Sequence, residues 1–366
     1  MKRNVLVTLA DANYIDQAKQ LFSGVYWNAG WDGDYLLLAH DIPEEKLTWF
    51  RQKGILIYEC RPVSENSSRD NFPVSVYSKA YLFKTFFKKW EKVIYLDGDI
   101  IVTHSFDGLL DTKGFAAKSD FNMDLYYQLR LSYDKKIDNV DLIQKNIMRL
   151  MAEYDLTSDS FNSGVMVIDT SIIQEDSFDR LVALITEYRS LSNFGEQLVL
   201  NLFMYKKWNR IENYYNAFAL YPEVSFSLYK RKGMIPVFHF LGSKNKPWSE
   251  DHPFKSVWKA NLEKADDIDL KKIPSLKMKF SDTEKIYSKK LLTEKEKPFM
   301  SMARYNFYFS ELDILYRKNS MREFRYLLVR GMMKQYTKGY NRFIPYYFIS
   351  FVPIPFKLLI KKALFQ

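Results

Sequence analysis

The chain has 366 residues, 47% of them hydrophobic, which is enough for one large α/β domain with an appendage or for two domains. Its single cysteine, Cys60, excludes an intramolecular disulfide framework and a cysteine-rich zinc site, and a cytosolic setting is the simplest reading. The net charge is +10, the four histidines (His40, His104, His239 and His252) lack His-x-x-x-His spacing, and no Walker A, Rossmann glycine fingerprint or nucleophile elbow occurs.

Met1-Lys2-Arg3 is basic, but the apolar stretch from Val5 to Ala10 is short for a leader and stops at Asp11, so it reads as a first buried strand. Strands are predicted at Asn4–Leu9, Asp34–Ala39, Ile55–Glu59 and Lys92–Leu96, and helices at Tyr14–Tyr26, Pro43–Gln52 and Val76–Trp90. This alternation points to a mostly parallel sheet. Tyr77, Tyr81, Phe83, Phe86 and Phe87 read as the core face of the third helix, and the polar stretch from Ser64 to Pro73 as a loop. Further on, Ala116–Asp120 and Phe161–Ile168 read as strands. Asp124–Asp159 reads as a charged helical insertion, and Ser177–Leu191 and Gly195–Lys206 as helices. No apolar run reaches the ~18 residues of a membrane-spanning helix.

Two segments carry chemistry. In Lys92-Val93-Ile94-Tyr95-Leu96-Asp97-Gly98-Asp99, a strand ends in two carboxylates one residue apart. In open α/β sheets ligands collect at the carboxyl ends of strands. Two hard oxygen donors this close suit a divalent cation, which commonly carries substrate phosphates. A lone Asp-x-Asp also occurs where acidic residues merely solvate a strand end. The second segment is Pro236-Val237-Phe238-His239-Phe240-Leu241-Gly242-Ser243-Lys244-Asn245-Lys246-Pro247-Trp248. Its histidine can complete an Asp, Asp, His metal set, its glycine allows close backbone approach, and a lysine can neutralise a diphosphate.

The two segments together resemble the signatures of glycosyltransferase family 8, the glycogenin-like and bacterial lipooligosaccharide galactosyltransferase-like retaining enzymes. Three further stretches fit in order: Asn4 to Tyr14 as first strand and nucleotide-binding turn, Phe161-Asn162-Ser163-Gly164-Val165, and Gly195-Glu196-Gln197-Leu198-Val199-Leu200-Asn201. The resemblance covers roughly residues 4–250 and implies a GT-A fold, an α/β architecture with a mostly parallel sheet. It also implies a nucleotide-sugar donor, most often UDP-linked, and Mn²⁺ or Mg²⁺ held by Asp97, Asp99 and His239. It places Thr8, Leu9, Ala10, Asp11, Asn13, Tyr14, Lys79, Asp97, Gly98, Asn162, Ser163, Gly242 and Lys246 around the donor. Asp120, Glu196 and Gln197 fall beside the transferred sugar, with Lys246 on the leaving diphosphate. The interval from Gly242 to Lys246 is one residue longer than the family pattern, so Lys244 competes for that role, and Lys246 is preferred because Pro247-Trp248 follow it.

The chain thus reads as a catalytic domain over 1–260, a connecting region over 261–300 and a basic, aromatic extension over 301–366. The extension carries twelve basic residues against three acidic ones, +9 of the chain's +10. Its last stretch, Phe343 to Phe365, is apolar but broken by Pro345, Pro353 and Pro355. It reads as docking peripherally on an anionic membrane from the cytoplasmic side, or as packing against the catalytic domain, and not as binding nucleic acid. The expected acceptor is a glycan or a lipid-linked saccharide. Two rivals are a catalytically silent nucleotide-sugar-binding module and a phosphatase of the haloacid dehalogenase type. The second is disfavoured because Ile100-Ile101 follow the Asp-x-Asp and the downstream pair Asp266-Asp267 falls in the connecting region.

Overall fold

The structure is a computed structural model that describes residues 2–63, 72–129, 146, 149–231, 235–272 and 280–293. It comprises two compact units, one of Met1–Asp120 with Phe161–Lys295 and one of Phe121–Ser160 with Glu296–Gln366. The extension over 301–366 lies outside the described residues, as do 64–71 of the polar loop and 130–145 of the charged insertion.

Among the described residues the main sheet has seven strands in the order β3-β2-β1-β4-β7-β6-β8. These are β1 (Asn4–Ala10), β2 (Asp34–His40), β3 (Leu56–Cys60), β4 (Lys92–Leu96), β6 (Phe115–Asp124), β7 (Asp159–Asp169) and β8 (Trp208–Arg210). β1 pairs in parallel with both β2 and β4, and β2 with β3. β4 pairs antiparallel with β7. The middle strands are near-continuous apolar runs, Val5-Leu6-Val7 and Val93-Ile94-Tyr95-Leu96, all fully or almost fully buried, as strands covered on both faces must be. The chain winds outward through β2 and β3, then returns to place β4 on the other side of β1. The crevice between the carboxyl ends of β1 and β4 is therefore the topological switch point, where such sheets take ligands.

A second, three-stranded sheet runs β5-β10-β9, formed by β5 (Ile100–Val102), β9 (Ala217–Phe218) and β10 (Val237–His239). It carries the chain straight on from the turn that follows β4. Helices Ile15–Gly24 and Lys255–Glu263 pack against one another, and Leu21 and Phe22 of the first belong to the core that also takes Ile100, Ile101, Val237 and Phe238. Of residues 261–300, Leu292 joins this core and Phe280 and Leu291 pack on it. In the second unit the described part holds a 3-10 turn at Leu125–Gln128, started by the Asp124 carboxylate accepting from the Tyr127 N–H at 3.3 Å, and a helical stretch over 149–153.

Four expected helical segments differ. The expected Val76–Trp90 helix is two 3-10 segments, Val74–Phe83 and Thr85–Lys89, broken where Lys84 is extended. Eight of the first segment's ten residues are buried, and Val, Tyr, Phe and Ser are weak helix formers, so packing on almost all sides decides the local conformation. The first helix ends at Gly24 and continues as a π-helical turn, Val25–Ala29, closed by Gly30 at φ 61°. The Gly195–Lys206 helix shortens to Gln197–Phe203, because Gly195 and Lys206 both take positive φ. The insertion's first part, Leu125–Gln128, is 3-10 and its last residue, Asp159, opens β7.

Candidate functional site

The ends of β1 and β4 are tied together by the buried Thr8 hydroxyl, which donates to the Leu96 carbonyl at 2.8 Å. Thr8 is thus engaged inside the sheet, Ala10 is buried, and Leu9 is half-buried. Beyond them Asp11 organises the turn. Its carboxylate accepts from the Asn13 N–H and from the Ser75 hydroxyl, both at 2.9 Å. Asn13 itself is exposed, and Tyr14 stands edge-on to the Trp248 ring with centroids 6.1 Å apart. The Asp97-Gly98-Asp99 turn rests on this segment: a Cβ added to Gly98 would lie 3.3 Å from Gln17 and 3.7 Å from Tyr14.

β5 leaves that turn and pairs antiparallel with β10, with His239 opposite Ile100, and the Phe240 N–H donates to the Asp99 carbonyl at 3.2 Å. Strand register thus brings His239 to the carboxylates across 140 residues of sequence. Ligand atoms of Asp97, Asp99 and His239 all lie within 4.8 Å of one another. Each carboxylate has its own lysine. Lys79 Nζ is 2.8 Å from Asp97, and the Tyr95 hydroxyl donates to the same carboxylate at 2.6 Å. Lys246 Nζ is 2.5 Å from Asp99 Oδ2 and also donates to the Phe240 carbonyl at 2.9 Å. Lys244 is exposed. Gly242 takes a φ of +83°, which favours glycine, and an added Cβ would meet no protein atom within 4 Å. Within the protein the close approach is at Gly164, where a Cβ would stand 2.2 Å from Cε1 of His239.

A polar wall continues from Lys79. Its ammonium also pairs with Glu196 at 2.5 Å, and the Ser163 hydroxyl donates to that carboxylate at 2.9 Å. The Gln197 carbonyl oxygen accepts from Asn162 Nδ2 and from the Ser163 N–H, both at 3.1 Å, while its amide nitrogen donates to Asp120 at 3.0 Å. Asp120, Asn162, Ser163, Glu196 and Gln197 are all buried. Burial disfavours the Lys79 charge, but Asp97 and Glu196 outweigh it and hold the ammonium above its ordinary pKa. Burial likewise opposes the Asp99 charge, yet the imidazolium form of His239 and the Lys246 ammonium hold that carboxyl well below the usual range. Burial, and then Asp97, push the Tyr95 phenol well up, so it stays a neutral donor.

Ten sequence-predicted residues therefore meet in one hydrogen-bonded and ion-paired network: Lys79, Asp97, Asp99, Asp120, Asn162, Ser163, Glu196, Gln197, His239 and Lys246. Sequence reasoning missed Asn216, Tyr95 and Ser75. Asn216 is fully buried, accepts at Oδ1 from His239 Nδ1 at 2.9 Å, and donates to Asn162 Oδ1 at 3.0 Å. The signal that could have found it is a polar position inside the aromatic run Tyr214-Tyr215-Asn216-Ala217-Phe218 that leads into a strand. The donor set fits a divalent cation. Two carboxylates and an imidazole converge, and buried Asp99 Oδ1 has no hydrogen-bond donor and faces His239 Nε2 at 3.3 Å. Oxygen ligands suit Mg²⁺ or Mn²⁺, and the imidazole favours Mn²⁺.

A mostly parallel sheet with an Asp-x-Asp turn at its switch point, met by a histidine from a returning strand, has the architecture of the GT-A nucleotide-sugar transferases. The chain belongs to glycosyl transferase family 8, whose model matches residues 5–252. Similar proteins include the glycosyltransferase GlyB of Streptococcus pneumoniae serotype 4 (strain ATCC BAA-334 / TIGR4), 26% identical over 70% of this chain and 61% of that protein. Galactinol synthase 4 of Arabidopsis thaliana is 28% identical over 57% of this chain and 62% of that protein. The chain thus spans less than two thirds of either relative's length. Among solved structures, the galactosyltransferase LgtC in complex with donor and acceptor sugar analogues matches with a TM-score of 0.51 and 18% identity, covering 71% of this chain and 95% of that one.

Proposed function

We propose that the chain is a metal-dependent, retaining glycosyltransferase that moves a hexose from a nucleotide-diphosphate sugar, a UDP-sugar foremost, to a glycan or lipid-linked saccharide. The observation that carries this reading is the convergence of Asp97, Asp99 and His239 within 4.8 Å, with Lys246 on the Asp99 carboxylate. The likeness to a galactinol synthase in sequence and to a galactosyltransferase in fold agrees with it.

Asp97, Asp99 and His239 would hold the ion, which when bound supplies positive charge against the diphosphate as it leaves. Lys246 has a carboxylate partner to exchange for a phosphate oxygen and so adds to the same stabilisation. Lys79, pinned between Asp97 and Glu196, keeps the carboxylates apart and compensated. Glu196, Gln197, Asp120, Asn162 and Ser163 form the wall that orients the sugar. Gln197 is a poor nucleophile: it is an amide, its oxygen already accepts two hydrogen bonds and its nitrogen donates to Asp120. Front-face substitution fits this arrangement. The acceptor oxygen bonds to the anomeric carbon on the face the phosphate leaves, and a phosphate oxygen takes the hydroxyl proton.

The basic extension over 301–366 would bring this site to an anionic membrane surface, because +9 of net charge stands beside apolar and aromatic side chains. Two experiments test the proposal. A panel of nucleotide sugars with Mn²⁺ is expected to release nucleoside diphosphate from one or two donors, and chelation is expected to stop it. Full activity in chelator would refute the metal dependence, and hydrolysis of simple phosphomonoesters would refute the transfer reading. Equal sedimentation with anionic vesicles by the full chain and by a version ending near Asn319 would refute the membrane reading.

A further inference from the structure

We infer that Asn216 is a positioning residue that fixes the tautomer of His239, holding the proton on Nδ1 so that Nε2 presents its lone pair to the metal site. The inference rests on the metal reading above and extends it to a residue outside the ligand set.

The argument begins at backbone groups, whose donor character is fixed. The Gly164 N–H lies 3.0 Å from Asn162 Oδ1, so that side-chain atom is the oxygen. Independently, the Ser163 N–H lies 3.1 Å from Gln197 Oε1, which makes that atom an acceptor, and it also receives the Asn162 amide nitrogen. The Asp120 carboxylate accepts from the other end of Gln197 at 3.0 Å. Asn162 is thereby anchored from both ends, and its oxygen faces Asn216 at 3.0 Å. Only the amide nitrogen of Asn216 can face an oxygen that has no proton to give. Its own oxygen must then face the ring, 2.9 Å from His239 Nδ1. A carbonyl oxygen only accepts, so Nδ1 carries the proton. In the neutral ring Nε2 is then the bare nitrogen, and it points at Asp99 Oδ1, 3.3 Å away. A neutral ring thus turns its bare nitrogen toward the Asp99 carboxylate, the disposition that two ligands of one cation require.

Turning the ring over would fill the same space but set carbons, Cδ2 and Cε1, against the Asn216 oxygen and Asp99 Oδ1, so the polar partners hold the orientation. The Gly164 backbone against Cε1 and the Phe218 ring, edge-on at 6.0 Å, pack the imidazole in place. His239 and Asn216 are both buried, so solvent does not compete for Nδ1. Histidine ligands to metals commonly donate their second N–H to an outer partner that fixes the tautomer and raises ligand basicity, and losing that partner typically costs 10–100-fold in affinity. Here the partner is an amide, and its orientation is inherited from Gly164 and Ser163, the strand that also carries the sugar-facing wall.

Two measurements test this on the full chain. The first is nitrogen and carbon NMR of labelled His239 in the metal-free wild type at pH 8.5. The expected spectrum is that of the neutral Nδ1–H ring, and an Nε2–H ring overturns the inference without any substitution. The second is Mn²⁺ affinity, read from the free-ion electron paramagnetic resonance signal, for wild type, Asn216→Ala and His239→Ala. Folded Asn216→Ala is expected to bind Mn²⁺ about 10–100-fold more weakly, with its His239 signals showing a mixture of tautomers. Wild-type affinity in Asn216→Ala beside weakened His239→Ala overturns the inference alone. Should the wild type bind no Mn²⁺, the metal reading falls and takes the role of Nε2 with it. Should Asn216→Ala not fold, the wild-type spectrum decides.

Discussion

The two carboxylates of the Asp97-Gly98-Asp99 turn are two residues apart and are held in contrasting ways. Asp97 leans inward on Lys79, whose side chain is 5% exposed and is shared with Glu196, itself 7% exposed. Asp99 leans on Lys246, which is 16% exposed and rides on the loop after Gly242. The first lysine is locked between buried Glu196 and half-buried Asp97 and has no way to leave without stranding the glutamate. The second holds one carboxylate and one carbonyl and can give up either to a ligand. One lysine belongs to the foundation of the site and the other to its working surface, although both read in the sequence only as candidate contacts to the donor.

Asp99→Asn tests the working side most severely. The change keeps the shape but removes a ligand charge, and metal-derived stabilisation is worth several kcal/mol, so transfer is expected to fall at least about 10³-fold. The asparagine keeps an acceptor for Lys246, so thermal unfolding is expected to stay within a few degrees of wild type. Retained turnover with saturating Mn²⁺, or an unfolded protein, would show that Asp99 has a structural task.

The contrast itself breaks or holds on a pair of methionine substitutions. Lys79→Met leaves Asp97 and Glu196 facing each other without a cation, and stranding a buried charge costs about 3–5 kcal/mol. Lys246→Met takes the cation from a carboxylate whose side chain is 15% exposed and open to partial solvation, so a smaller loss, roughly 1–2 kcal/mol, is expected, together with a rise in donor KM. Urea unfolding in the presence of chelator measures both. Equal stability losses would erase the distinction between foundation and working surface.

The legible part of this molecule follows the same division. The apolar runs that became β1 and β4 end within a residue of where they were expected, because strands buried on both faces admit few polar residues before they must stop. The convergence of Asp97, Asp99 and His239 was legible only from two motifs read together, because an Asp-x-Asp at a strand end is ordinary until a downstream histidine segment stands beside it. The 3-10 segments between Val74 and Lys89 were not, since weak helix formers take the conformation their packing permits. Asn216 was not legible either. It is 23 residues from His239 and 54 from Asn162, and its meaning comes only once β9 pairs with β10 and the Asn162 side chain of β7 comes beside it. Gly242 and Gly164 divide two uses of glycine between them: the first supplies a left-handed backbone angle, and the second a close approach to the His239 ring, neither of which a motif alone distinguishes.

That division of roles gives a smaller test. At Gly164 an added methyl would sit 2.2 Å from the His239 ring, inside a core without slack. Gly164→Ala is expected to cost about 1–3 kcal/mol by overpacking. It should also weaken Mn²⁺ binding, because the ring is the part that must move. Loss of stability with unchanged metal affinity would mean that the backbone of β7 yields and the imidazole stays.

Gly242→Ala should have the smallest effect and should spare the metal. At φ +83° the added Cβ meets nothing within 4 Å, so there is no clash to relieve, and the cost is that of holding an L-residue in the left-handed region, about 1 kcal/mol. The loop beyond it is tied down by Asn245, whose side chain donates to the Ala219 carbonyl at 2.5 Å and whose N–H reaches the Gly242 carbonyl at 3.4 Å. Backbone relaxation at Gly242 therefore works against a fixed point and shifts the start of the segment that delivers Lys246. His239 lies on the other side of Gly242, in a strand paired on both edges, and is not carried along. Mn²⁺ affinity is expected to stay at the wild-type value while donor KM rises a few-fold. A loss of metal affinity in Gly242→Ala, measured beside Gly164→Ala, would show that the loop and the histidine move as one piece.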